Sequence, residues 1–94
     1  MMTTFIMRGS YSAASVKQIS GARTTKAEKI VAGCRGRIVS MYATMGCSDL
    51  LIVAEFPDVE QAIKASVELN KALGISFSTV PALPVEEFDR LFKR

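Results

Sequence analysis

A chain of 94 residues, 49% apolar and 22% charged, has the length and composition of one small globular domain rather than a disordered segment. The formal net charge is +3, from twelve Lys and Arg against nine acids, and the short groupings Lys26/Lys29, Arg35/Arg37 and Lys93/Arg94 make no basic stripe of the kind that nucleic acid requires. Histidine is absent, which removes imidazole acid–base catalysis, Ser–His and Cys–His pairs and histidine metal sites, and nothing else in the sequence calls for a metal or a cofactor.

The N-terminus MMTTFIMR has no charged n-region ahead of a long apolar run, and no stretch approaches the roughly 18 apolar residues of a membrane span. A cytoplasmic chain with no membrane segment is expected, in one domain over residues 1–94. Thr3 to Ser10 alternates loosely, Phe5 and Met7 against Ile6 and Arg8, and predicts the first strand. From Ser12 the pattern turns helical, with Ala13, Val16, Ile19 and Ser20 on one face. Gly21 interrupts it. Thr25-Lys-Ala-Glu28 has the capping-box form, so a second helix is expected from there, carrying Ala27, Ile30, Val31 and Cys34 inward and ending at Gly33 to Gly36.

Arg37 to Thr44 predicts the second strand, with Val39, Met41 and Ala43 on one face and Ile38, Ser40, Tyr42 and Thr44 on the other. Asp49 to Phe56 predicts the third, apolar on both faces, and the short connection between them makes a hairpin. Pro57-Asp58 opens a helix with Asp58 at the N-cap and Gln61 as its reciprocal partner. Its buried stripe is expected to be Val59, Ala62, Ile63, Ser66, Leu69 and Leu73, with Gly74 closing it. Ile75 to Ala82 is the fourth strand, ended by Pro81 and Pro84, and Val85 to Phe92 a terminal helix whose Val85, Phe88, Leu91 and Phe92 need a partner surface.

The order β-α-β-β-α-β plus a terminal helix predicts an α+β, ferredoxin-like fold: a four-stranded antiparallel sheet with both main helices on one side. The other side is then bare, although Leu50, Ile52 and Ala54, or Leu51 and Val53, must point to it. Four strands of about seven residues cover roughly 450 Å². Covering an apolar area of that size is worth on the order of 10 kcal/mol before the costs of association. The simplest cover is a second copy, which predicts a homodimer with its sheets face to face, closing into a barrel.

The cluster Gly46-Cys47-Ser48-Asp49 reads first as turn chemistry, Gly46 supplying a positive φ and Ser48 or Asp49 bonding nearby backbone; in the functional reading the Asp49 carboxylate stands at a cavity mouth as base or ligand anchor. Ser40, Tyr42 and Thr44 form a hydroxyl stripe that either lines a pocket or leaves Tyr42 as an interface aromatic. Glu55, within an apolar strand, is either a buried base or a side chain reaching solvent at the sheet edge. Arg8 and Arg23 read as solvated cations, with anion binding as the alternative. The strand between Cys34 and Cys47 carries the chain roughly 25–30 Å, too far for a disulfide. Cys47 has no neighbouring cation to activate its thiol.

The stretch GRIVSMYATMGCSDLLIVAEFPDVEQAIKASVEL resembles the GYD-domain family. Gly46 and Asp49 match its glycine–tyrosine–aspartate motif, and Ser48 stands where the motif has tyrosine, so no role resting on that phenol carries over. The resemblance extends more weakly over SVKQISGARTTKAEKIVAGC and PALPVEEFDRLFKR. It implies a ferredoxin-like protomer in a dimeric α+β barrel and no settled activity. Three functions are expected: a non-enzymatic homodimer that holds a small, mostly apolar metabolite between its sheets and binds neither nucleic acid nor membrane; by analogy with similar dimeric barrels, a cofactor-independent oxygenase or isomerase relying on Tyr42, Asp49 or Glu55; or a structural protein that recruits a partner through its terminal helix.

Overall fold

The computed structural model describes residues 1–93; Arg94, the last member of the Lys93/Arg94 pair, lies outside them. The elements run β1 (Thr3–Tyr11), α1 (Ala13–Val16), α2 (Gly21–Gly33), β2 (Arg37–Ala43), β3 (Leu50–Phe56), α3 (Val59–Leu73), β4 (Ile75–Ala82) and α4 (Val85–Leu91). The four strands form one antiparallel sheet in the order β2-β3-β1-β4. This is the ferredoxin-like order, with each βαβ half contributing one central and one outer strand.

One face of the sheet carries the core. Phe5 and Met7 of β1, Ile52, Ala54 and Phe56 of β3 and Ile75 of β4 are buried against Ala27 and Val31 of α2, the adjoining Cys34, and Ala62, Ala65, Leu69 and Leu73 of α3. Phe5 and Phe56 meet edge to face, with ring centroids 5.8 Å apart. The apolar alternation in β1 and β3 therefore does what a half-covered sheet requires, with one parity inward and the other outward.

Five local expectations are corrected. In α2 the N-cap is Ser20, whose hydroxyl accepts the Arg23 N–H at 3.2 Å, so the helix begins at Gly21 and Thr25 lies inside it, bonding back to the Gly21 carbonyl. In β2 the register shifts between Ile38 and Ser40, so that Ile38 and Met41 both pair with inward positions of β3 while Val39 is 50% exposed. A bulge of this kind switches the phase of everything before it, which a strict period of two cannot reveal. In α3 the buried stripe is Ala62, Ala65, Leu69 and Leu73, and Val59 and Ile63 are exposed. Asp58 caps α3 by accepting the Gln61 N–H at 2.8 Å, but the Gln61 Oε1 is buried without a partner, so the reciprocal bond is not made. In α1 the buried residue is Ser15, while Val16 and, beyond the helix, Ile19 are exposed.

Gly74 closes α3 in the left-handed region at φ 69°. α4 follows β4 directly and buries none of its residues; its Phe88 and the adjoining Phe92 place their rings 5.2 Å apart on the surface. No helix among the described residues is long and apolar enough to cross a membrane.

Candidate functional site

The registers of the three strand pairs arrange the helix-free face into rows that cross the sheet. Ser40, Val53, Ile6 and Val80 make one row from β2 to β4. Beside it run Tyr42, Leu51, Arg8 and Ser78, and beyond these Ser10 stands opposite Ser76. On the far side Arg37, Glu55, Thr4 and Ala82 make the last row. The face is therefore not uniformly apolar. Its hydrophobic part is a belt of Ile6, Leu51, Val53, Val80 and Tyr42, bounded by an ion pair at one end and a hydroxyl-rich corner at the other.

That corner is concave. An open cavity of about 440 Å³ is lined by Arg8 and Ser10 of β1, Ser76 and Ser78 of β4, and Cys47 and Ser48 of the hairpin turn, with Phe77 at its edge. Its only formal charge is the Arg8 guanidinium, which pairs with no carboxylate among the described residues. Four serine hydroxyls surround it, each able to donate one hydrogen bond; that of Ser76 already accepts one from Asn70 Nδ2 at 3.3 Å.

The acid that follows Ser48 in the turn is engaged elsewhere. The Asp49 carboxylate accepts the Tyr11 backbone N–H at 2.9 Å, and the Asp49 N–H donates to the Gly9 carbonyl at 2.8 Å. Thr44 holds the turn from the other side: its hydroxyl donates to the Ser48 carbonyl at 2.8 Å and its N–H to the Asp49 carbonyl at 2.9 Å. Gly46 adopts φ 99°, with open space where a side chain would stand. The cluster is thus a bend fastened to β1, and its service to the cavity is to set Cys47 and Ser48 along one wall.

The predicted hydroxyl stripe separates accordingly. Ser40 and Tyr42 lie on the helix-free face, Tyr42 56% exposed, whereas the Thr44 hydroxyl is consumed by the turn. Glu55 accepts from Arg37 Nε at 2.7 Å across the β2–β3 pair, with its side chain 25% exposed, and so is neither free nor deeply buried. Arg23 stacks on the Tyr11 ring, 4.7 Å from its centroid, and donates to the Ser15 carbonyl. Burial raises the Cys34 thiol above its ordinary pKa, with Lys64 acting against that shift and Glu68 adding to it.

Sequence reasoning did not assemble Arg8, Ser10, Ser76 and Ser78 into one place. The signal was available: these residues share the outward parity of β1 and β4, and the order of a ferredoxin-like sheet makes those two strands neighbours.

The chain belongs to the GYD domain family, which matches residues 5–92. No curated protein matches the sequence. Among solved structures the chain is similar to the crystal structure of the Mycobacterium tuberculosis leucine response regulatory protein (LrpA), with a TM-score of 0.58 and 6% sequence identity over 87% of this chain and 51% of that one. This chain thus spans about half the length of that protein, and a likeness at such low identity speaks for the fold alone.

Proposed function

We propose that this GYD-family chain works as a homodimeric binding module, two sheets packed by their helix-free faces around a small ligand. The observation that carries the reading is the uncovered belt of Ile6, Leu51, Val53, Val80 and Tyr42 lying directly beside the 440 Å³ cavity. A second sheet laid on that face would cover the belt and roof the cavity at once. Belt and corner together have the mixed polarity usual at such interfaces.

The area matters here. Two sheet faces of roughly 450 Å² each give about 900 Å². A standard stable interface buries about 1,600 Å² in total. The exposed side chains of the C-terminal segment, namely Val85, Phe88, Leu91 and Phe92, are the natural source of the remainder if the helix crosses onto the partner protomer. A cofactor-independent enzyme is less favoured, because Asp49 is held by the Tyr11 N–H and Glu55 by Arg37, so each carboxylate already has a structural partner.

Sedimentation velocity combined with native mass spectrometry of protein taken from its own host tests the reading. A dimer carrying an extra mass that denaturation releases is expected, and Ile6→Glu should sediment as a monomer. A wild-type monomer would overturn the proposal. A second reading, in which α4 recruits another protein, rests on the same four exposed side chains. It gains if a chain ending at Leu83 remains fully dimeric, and it loses if that truncation dissociates the dimer.

A further inference from the structure

The corner at Arg8 narrows the class of ligand. A cavity built from one guanidinium and four serine hydroxyls, with no carboxylate in its lining, is complementary to an oxyanion: the guanidinium offers paired N–H donors in the geometry of a carboxylate, and hydroxyls adapt to the remaining lone pairs. The single cation sets the charge. A dianionic phosphate would bring two negative charges to one positive one, whereas a monoanion is balanced. The belt sets the rest of the molecule. Two residues along β1 from Arg8, the row Val53–Ile6–Val80 offers a flat apolar surface with Leu51 at its side. A polar head held at Arg8 would therefore lay its remaining atoms on hydrophobic side chains.

We propose that this corner binds the carboxylate of an amphipathic monocarboxylic acid, its apolar tail lying along Ile6, Leu51, Val53 and Val80 beneath the second sheet. The assignment rests on the binding-module reading and adds to it the chemistry of the ligand's head. Arg8 holds the carboxylate; Ser10, Ser76 and Ser78 complete its hydrogen bonds; Ser48 and Cys47 close the wall.

Isothermal titration of the full chain with octanoate, octanol and octyl phosphate, on the wild type, Arg8→Gln and Ser78→Ala, tests this, with sedimentation velocity on the same samples. Octanoate is expected to bind at least about tenfold more tightly than octanol, and Arg8→Gln to abolish that preference, the loss falling on octanoate. Ser78→Ala, a small change at an exposed position, should weaken octanoate by about threefold to tenfold. Equal binding of octanoate and octanol by the wild type would overturn the acid while leaving an apolar binding module in place. Tighter binding of octyl phosphate than of octanoate would overturn the carboxylate. A dimer that takes up none of the three probes would overturn the ligand assignment without touching the dimer. A monomer that binds octanoate in an Arg8-dependent way would uphold the head-group site and overturn the dimer.

Discussion

The carboxylate of Asp49 and the backbone N–H of Tyr11, 38 residues apart in sequence, are joined by a 2.9 Å hydrogen bond that ties the β2–β3 turn to the end of β1. With the Asp49 N–H on the Gly9 carbonyl, two bonds fix the turn against the central strand. Asp49→Ala is expected to cost about 1.5–3 kcal/mol, the range for a hydrogen bond to a charged group. For a domain of this size that lowers Tm by roughly 10 °C. Asp49→Asn keeps an acceptor oxygen and should lose about half as much. An unchanged Tm in Asp49→Ala by thermal circular dichroism would mean that the bond is dispensable.

Glycine is demanded for different reasons at two positions. A Cβ on Gly36 would stand 2.8 Å from the Glu55 carbonyl oxygen and press into the Phe56 ring, so Gly36→Ala should lose about 1–3 kcal/mol through overpacking. Gly46 has open space around it but sits at φ 99°, and Gly46→Ala should lose only about 1 kcal/mol, from backbone strain alone. Urea denaturation of the two variants separates these costs.

The two thiols should behave oppositely toward Ellman's reagent. Cys47 is exposed and is expected to react in the folded protein, while Cys34, buried at the C-terminal end of α2, reacts only on unfolding. Because burial holds the folded Cys34 pKa above its ordinary value of 9.0, the folded state keeps the proton where the unfolded state gives it up. That contribution is whole below the unfolded pKa and is lost as pH rises from there through the folded value. Stability should therefore decline in alkaline solution above about pH 9, and Cys34→Ala should decline less steeply; parallel slopes for the two proteins would remove Cys34 as the cause.

Arg37 and Glu55 form a short but solvent-facing pair at 2.7 Å. Glu55→Gln should cost less than about 1 kcal/mol, and the difference from wild type should shrink in high salt. A larger, salt-independent loss would show that Glu55 has a buried role.

Much of the fold could be read in the chain because its signals were redundant. Asp58 before an apolar periodic run and Gly74 after it mark both ends of α3, and the double-sided apolar character of β3 places it at the centre of the sheet. Reading failed where two local solutions compete. Ser20 and Thr25 both offer helix caps, and only packing decides that α2 begins at the first. Ile38 and Val39 are both β-branched, so nothing local says which of them takes the inward place at the bulge. Val59 and Ile63 have the right spacing for the buried stripe of α3, yet the close approach of helix to sheet is filled by Ala62 and Ala65 instead. The hydroxyl corner was illegible strand by strand, since Arg8 and Ser78 are neighbours only through the pairing of β1 with β4.

The rows give the sheet a direction, because one end carries Arg8 and Ser10 and the other the Arg37–Glu55 pair. A twofold axis along the strands of a face-to-face dimer would bring both Arg8 corners to the same end, and the anion held by one would repel the anion held by the other. An axis across the strands would send the corners to opposite ends, each as an independent site. The stoichiometry of acid binding, one per dimer or two alike, thus reports the orientation of the symmetry axis.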